Sequence, residues 1–455
     1  MIQKSLVAAI RGHAGGDAGG GVADVGGAEG IARACEAAIR EGHLAPGDRL
    51  PPVRGLAAAL AVSPTTVAAA YRGLRRRGLI VGDGRRGTSV RGRPALRTPM
   101  APTRIDDAID LASGNPDPTW LAPLAPILAR LDAPPHLYAE AHELPALREI
   151  AVRSFAADSI PSEHLVVVSG ALDGIERVLS AQLRPGDRVG IEDPGFSNVI
   201  DLVAALGLEA VPIALDDRGI TPAALAAALP GIDALIVTPR AQNPTGAALD
   251  AERARALRRV LRAHPELLVI EDDHAGAVAG APACTLWERG RTRWAVVRST
   301  SKTHGPDLRL ALLVGDRETL ARVAGRQRIG FRWVSHLLQR IVVELETDPA
   351  SRRRVREAAR AYAARRRALL AALAAHGIEA HGASGLNVWI PVPEETALVQ
   401  SLAQAGFAVS AGERFRLRSG PAIRVTIARM PLAQARPLAD AIAARLGVAE
   451  RSAAV

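Results

Sequence analysis

At 455 residues the chain is well beyond a single domain of roughly 100–200, so two or three folding units are expected, and 48% hydrophobic with 23% charged residues excludes a wholly disordered or collagen-like polymer. No run approaches the roughly 18 uninterrupted apolar residues of a membrane span, and Leu6 to Ile10 is too short for a signal-peptide core, so no membrane partner and a cytoplasmic location are expected. Most of the +10 net charge sits at the front, where residues 1–100 hold 15 Lys and Arg against 7 Asp and Glu, leaving 42 against 40 for the rest; a basic front of this kind is the footprint of a polyanion binder, nucleic acid first among them.

Residues 1–28, centred on the run GGDAGGG, carry too little side-chain surface to pack and read as a flexible arm. From residue 29 to about 41, Ile31, Cys35, Ala38 and Ile39 recur at helical spacing. Turn chemistry from Ala45 to Pro52 ends this helix, and a second runs over 53–61. Ser63 then offers an N-cap and Pro64 the first position of a third helix, which runs to about Arg77 and stops at Gly78. Residues 79–81 and 87–90 read as strands around a turn at 82–86.

Residues 94–108, with Pro94, Pro99 and Pro102 and no periodicity, read as a linker. Beyond them, apolar runs at 165–168, 188–191, 234–237, 267–270, 295–298 and 310–314 alternate with helix-like runs, which predicts a largely parallel sheet covered on both faces. From about residue 348 a long Arg/Ala-rich helix leads to strands at 386–392 and 422–427 of a smaller domain. The expected fold class is α/β: a three-helix unit with a β wing at 29–93, then a body at 109–455. Within the body, a large domain is expected at about 160–345 and a small one at about 348–455 plus 109–155. Cys35 and Cys284 lie far apart without metal-ligand spacing, so no metal site is expected.

Within the segment from Pro46 to Val90, LPPVRGLAAALAVSPTTVAAAYRGLRRRGLI followed by GRRGTSV resembles the winged helix-turn-helix of the GntR family of bacterial transcription regulators. The helix start at Ser63, Thr65 and Thr66 presents hydroxyls and free N–H groups that can meet base edges or phosphates in the major groove of double-stranded operator DNA. The resemblance implies a phosphate contact at Arg54 and a minor-groove wing at Arg85, Arg86 and Gly87. Arg72, with Arg75, Arg76 and Arg77, either extends this surface or is a solvated helix face.

Only Lys4 and Lys302 of the 57 basic residues are lysine. A guanidinium stays protonated and cannot replace an amine that must join a carbonyl, so an internal lysine kept in such a chain points to chemistry. Lys302 lies in Arg298-Ser-Thr-Ser-Lys-Thr-His-Gly-Pro-Asp-Leu-Arg309, an amine beside an anion site, and this stretch resembles the Schiff-base motif of fold-type I aminotransferases. The resemblance implies pyridoxal 5'-phosphate as cofactor, and the other landmarks follow in the family's chain order. Gly170 and Ala171, where a strand passes into a helix, would give backbone N–H groups to the phosphate, although any strand-to-helix turn looks similar. Phe196 of Glu192-Asp-Pro-Gly-Phe196 would stack on the ring or else pack in a core. Asn243 of Gln242-Asn-Pro-Thr-Gly246 would donate to the phenolic oxygen. Asp272 of Glu271-Asp-Asp-His274 would pair with the pyridine nitrogen, unless Asp272 and Asp273 are a surface pair. His274 stands where many relatives carry a tyrosine touching the phenolic oxygen, which makes Lys302, Asp272 and His274 the candidate catalytic set. Ser299, Ser301 and Arg309 would complete the phosphate cup, with Tyr138 reaching it from the partner subunit of a homodimer. Arg424 would clamp the carboxylate of an effector, with Asn387 close by.

A winged helix module in front of an aminotransferase-like body is the arrangement of the MocR-type subgroup of GntR regulators. It implies a DNA-binding transcription regulator whose body dimerises and senses a small amine, an amino acid or a vitamin B6 vitamer. Two other readings stay open at this level: an active aminotransferase with an accessory basic module, and a regulator that uses the body as an inert scaffold.

Overall fold

A computed structural model describes residues 27–447 apart from 41–42, 46, 78, 83–86, 91–107 and 139, so Lys4, nearly all of the arm and of the linker, Arg85 and Arg86 lie outside the described residues. The chain forms two compact units, the first built on residues up to Thr98 and the second on most of the remainder.

The first unit runs α1 (Ala28–Arg40), β1 (Arg49–Leu50), α2 (Val53–Leu60), α3 (Pro64–Arg76), β2 (Ile80–Gly82) and β3 (Thr88–Val90). Apolar positions at helical spacing, Ile31 and Cys35 on α1, Leu56 on α2, and Val67, Tyr71 and Leu74 on α3, close into one core. The Tyr71 hydroxyl donates to the Pro51 carbonyl at 2.8 Å, so this buried phenol is satisfied within the core. α2 and α3 are bent by 118° at the short turn between them, within the usual range for a helix-turn-helix. The strands form an antiparallel sheet in the order β1-β3-β2.

The second unit contains β4 (Ile109–Asp110), α4 (Pro145–Ala157), β5 (Leu165–Val168), α5 (Ala171–Gln182), β6 (Arg188–Asp193), β7 (Glu209–Asp216), β8 (Gly219–Ile220) and β9 (Ala234–Val237). It continues with β10 (Leu268–Asp273), β11 (Trp294–Ser299), β12 (Ala311–Gly315), α6 (His336–Thr347), α7 (Pro349–Ala375), β13 (Asn387–Pro391), β14 (Phe407–Ala408), β15 (Ser410–Ala411) and β16 (Ala422–Thr426). An eight-stranded sheet has the order β5-β12-β11-β10-β9-β6-β7-β8. β6, β9, β10 and β11 pair in parallel, and β12 is antiparallel to both β11 and β5. Two reversals restore direction, so β5 points the same way as β11. The carboxyl ends of β5, β6, β9, β10 and β11 therefore emerge at one edge of the sheet, where open α/β folds bind ligands.

The sheet differs from the sequence expectation at β7, whose Pro212 and half-exposed residues hide a strand near the end of the strand order. The expectation that 109–155 belongs wholly to the small domain also needs correction. Leu111 shares the small domain's core with Tyr362, Ile423 and Leu438, and β4 pairs with β14. Leu147, Ala151 and Phe155, one stripe of α4, instead pack with Leu165, Val296 and Val342 of the large domain, because an amphipathic helix follows the apolar surface it can bury rather than its neighbour in the chain. In the small domain, β13-β16-β15 is antiparallel and lies over α7. No single described helix is long and apolar enough to cross a membrane.

Candidate functional site

β10 carries Glu271, Asp272 and Asp273 into the interior, and all three are buried, so the surface-pair reading of the two aspartates fails. Successive side chains of a strand point to opposite faces, and the two aspartates meet different surroundings. Asp273 accepts two hydrogen bonds from Arg240, both at 2.8 Å, and one from Arg298 Nε at 2.7 Å, while Arg298 also holds Asp158 at 2.5 Å. Against the cost of burial, the hydrogen bonds and charges of Arg240 and Arg298 hold the Asp273 carboxyl down at about 2. Asp272 has no such support: its Oδ1 is buried without a partner, and burial, with the charges of Asp273 and Glu192 adding, pushes it up to about 7. Glu192, at the end of β6, accepts from Thr238 N at 3.0 Å and Gln242 Nε2 at 3.2 Å and is itself pushed up to about 7 by burial. Glu192, Phe196, Thr238 and Asp272 line one cleft, so two of the residues singled out in the sequence meet there.

Lys302 follows the end of β11, and its Nζ donates to the Gly114 carbonyl at 2.7 Å. Burial, with the Arg424 charge adding, lowers its ammonium to about 8, which raises the share of reactive neutral amine. His274 Nε2 lies 3.0 Å from the Ala241 carbonyl, and its Nδ1 is buried without a partner. Burial, with the Lys302 charge adding, pulls this ring down to about 4.

Arg424 stands on β16 with 5% of its surface exposed. Its Nη1 donates to Asn243 Oδ1 at 3.1 Å, its Nη2 donates to the Ala112 carbonyl, and its guanidinium lies 4.6 Å from the centre of the Phe415 ring. Its Nε has no partner, and burial, with the Arg414 charge adding, lowers the group to about 10. A buried guanidinium bonded only to neutral acceptors is set to take an anion. Asn387, opening β13, donates to Asn243 Oδ1 at 3.4 Å and accepts from Thr426 Oγ1 at 2.9 Å. The turn carrying Asn243 reaches this place because Gly246, at φ +72°, presses against the 384–387 loop; a Cβ there would stand 2.8 Å from the carbonyl oxygens of Ser384 and Asn387.

At the end of β5, Gly170 has φ +106°, and a Cβ would stand 2.8 Å from Arg309 Nη2. Arg309 Nη2 also donates to the Ser169 carbonyl at 3.0 Å, and Ala171 opens the 12-residue helix α5, so a guanidinium and free N–H groups converge. Ser299 Oγ donates to Ser301 Oγ at 3.0 Å at the end of β11. Tyr138 is not brought to these groups within one chain: it is 74% exposed, its ring 5.7 Å from Trp333 and 4.9 Å from the Arg332 guanidinium. The carbonyls of Ala112, Gly114 and Ala241 were not foreseen, and a backbone atom leaves no sequence signal. Glu192 was within reach, since it ends an apolar run inside a quoted motif.

In the first unit, Ser63 Oγ caps α3 by accepting from Thr66 N at 3.1 Å and lies 2.6 and 2.7 Å from the hydroxyls of Thr65 and Thr66. Ser63, Thr65, Arg54, Arg72 and Gly87 are exposed, Gly87 at φ +97°. Arg77 pairs with Glu29 and Glu36 at 3.3 and 3.1 Å, and Arg75 donates to Thr88 at 3.2 Å, so these two serve the unit's own packing.

The family described as aminotransferase class I and II matches residues 106–442, and that described as bacterial regulatory proteins, gntR family, matches residues 28–90. The chain is 41% identical over 400 residues to the vitamin B6 salvage pathway transcriptional repressor PtsJ of Salmonella typhimurium strain LT2, covering 86% of this chain and 92% of that protein. It is 28% identical over 341 residues to the HTH-type pyridoxine biosynthesis transcriptional regulator PdxR of Corynebacterium glutamicum, covering 72% and 74%. Among solved structures, the kynurenine aminotransferase of Pyrococcus horikoshii superposes with a TM-score of 0.69 at 19% identity over 78% of this chain and 96% of that one, which shows the fold alone.

Proposed function

The chain belongs to the MocR-type subgroup of GntR regulators, DNA-binding transcription regulators with an aminotransferase class I and II body, and from that premise we propose that the body holds pyridoxal 5'-phosphate on Lys302 and that its occupancy sets the affinity for operator DNA. The observation that carries this reading is Asp272, a buried carboxyl with an orphan oxygen beside an arginine-paired neighbour. Such a group is costly unless a ligand completes it. The residues fit the cofactor: Asp272 for the pyridine nitrogen, Phe196 for the ring face, Gly170, Ala171, Ser299, Ser301 and Arg309 for the phosphate, and Lys302 for the carbonyl. When bound, the cofactor supplies a carbonyl on which amines exchange and a ring that accepts electrons. Arg424 and Asn387 would hold the carboxylate of an amino-acid ligand, and the lowered basicity of Lys302 keeps more of its amine in the neutral, nucleophilic form.

Leu137, Tyr138, Ile329, Phe331 and Leu337 are large exposed apolar side chains, which supports a homodimer in which Tyr138 meets the partner. The relatives are named for vitamin B6 salvage and pyridoxine biosynthesis, which supports a vitamin B6 vitamer as effector, with an amino acid acting through Arg424 as the second choice; a cytoplasmic location is consistent with a transcription regulator.

Borohydride reduction of the protein loaded with pyridoxal 5'-phosphate, followed by peptide mapping, should place the label on Lys302, and Lys302→Ala should abolish it. Operator binding should change when the cofactor is added to the wild type and should change only at higher cofactor concentration in Lys302→Ala. Label on Lys4 alone, or an operator affinity indifferent to the cofactor, overturns the reading. Arg424→Ala should keep the label and lose only the response to added amino acids.

A further inference from the structure

His274 departs from the family pattern, and its surroundings give the departure a direction. The ring is fixed by Nε2, 3.0 Å from the Ala241 carbonyl oxygen. A carbonyl only accepts, so this nitrogen carries a hydrogen. Burial, reinforced by the charges of Lys302 and Arg240 and opposed by Asp273, keeps the ring neutral at physiological pH. A neutral imidazole with its hydrogen on Nε2 has a bare lone pair on Nδ1, and that atom is buried with no partner. His274 thus offers the site an acceptor where a tyrosine would offer a hydroxyl.

Asn243, the other group expected at the phenolic oxygen, is fixed in the opposite sense. Its Oδ1 receives Arg424 Nη1 at 3.1 Å and Asn387 Nδ2 at 3.4 Å, both of them donors. The end of Asn243 left to meet a ligand is therefore its Nδ2 amide, a donor. A phenolate accepts only and is best served by two donors; a neutral hydroxyl accepts one hydrogen bond and donates another. One donor and one acceptor are the complement of the neutral form.

We propose that His274 is a specificity residue which, with Asn243, selects pyridine ligands whose ring hydroxyl keeps its proton. This inference rests on the reading that pyridoxal 5'-phosphate and its relatives occupy the site. The bound hydroxyl then loses its proton at a higher pH than it would beside a tyrosine. Because the recognition is of the hydroxyl and not of the carbonyl, the same pair also grips vitamers that have no carbonyl and cannot attach to Lys302.

Two measurements on the full-length protein test this. Nitrogen-15 spectra of the ligand-free wild type, labelled at histidine, should show one ring that is lost in His274→Gln and has its hydrogen on Nε2 and a bare Nδ1, unchanged between about pH 5.5 and about pH 8. Absorbance of bound pyridoxal 5'-phosphate, followed from about pH 6 to about pH 9, should be dominated by the neutral-hydroxyl band in the wild type. In His274→Tyr the midpoint for the phenolate band should fall by about one pH unit or more, a tenfold change in band ratio, and His274→Phe, which removes the acceptor without adding a donor, should lie between. A hydrogen on Nδ1, an imidazolium at about pH 7, or equal midpoints in the wild type and His274→Tyr overturns the assignment. Failure to form any adduct on Lys302 would count against the cofactor reading instead, and the spectrum of the free protein would still decide the tautomer.

Discussion

In the N-terminal unit the groups proposed to face DNA lie at the surface, Thr66 half-exposed, and are already satisfied: Ser63 caps α3, and Thr65 and Thr66 lie within hydrogen-bond distance of it. In the body they are buried and unsatisfied: Asp272 has an orphan oxygen, Arg424 an orphan Nε, and His274 an orphan Nδ1. The difference fits what each region is proposed to bind. A surface that reads DNA draws free energy from counterion release and needs only local capping to aim its side chains. A pocket for a small polar ligand draws it from groups held out of water, whose cost falls when the ligand arrives. Ligand binding should therefore raise the stability of the body and leave that of the N-terminal unit nearly unchanged.

The sharpest test of this contrast lies inside the body, between adjacent aspartates. Asp273→Asn removes the charge that pairs with Arg240 and one of the two carboxylates that pair with Arg298, and should destabilise the protein by about 3–5 kcal/mol in denaturant unfolding. Asp272→Asn should do the reverse at about pH 8, raising stability by at least about 1 kcal/mol while weakening cofactor binding. The sign comes from proton linkage. Asp272 is pushed up to about 7 from the ordinary 3.8, so the folded state keeps the proton longer and stability falls as pH rises across that window. Asp273, held down at about 2, contributes stability that is present above 3.8 and lost as pH falls toward 2. If Asp272→Asn and the wild type show the same pH profile, the carboxyl is not an unsatisfied one.

In the first unit the expected effects are smaller and local. Ser63→Ala removes the cap and should cost about 1 kcal/mol, read as faster hydrogen exchange in the first turn of α3, with no change in cofactor binding. Arg54→Ala should lower the logarithmic salt slope of operator binding by about 0.9 without altering sequence preference. Replacing Thr65 and Thr66 together should alter the preference; an unchanged one would remove α3 from the role of recognition helix.

Local pattern determined much of this protein. Helical spacing and the Ser63-Pro64 start specify the three helices of the first unit, because caps and periodicity are properties of neighbouring residues. Alternating apolar runs mark most strands of the sheet, and the near absence of lysine singles out Lys302 by composition alone. Partners were another matter. Which of two adjacent aspartates is paired depends on Arg240 and Arg298, 33 and 25 residues from Asp273 along the chain. The tautomer of His274 depends on one carbonyl of another loop, and the acceptor of the Lys302 amine is the backbone of Gly114, 188 residues away. The split of residues 109–155 between two cores and the exposure of Tyr138 are of the same kind. Sequence spacing encodes the period of an element and the chemistry it carries; burial and hydrogen-bond partners arise only when distant segments meet, and they decide the charge each site residue holds.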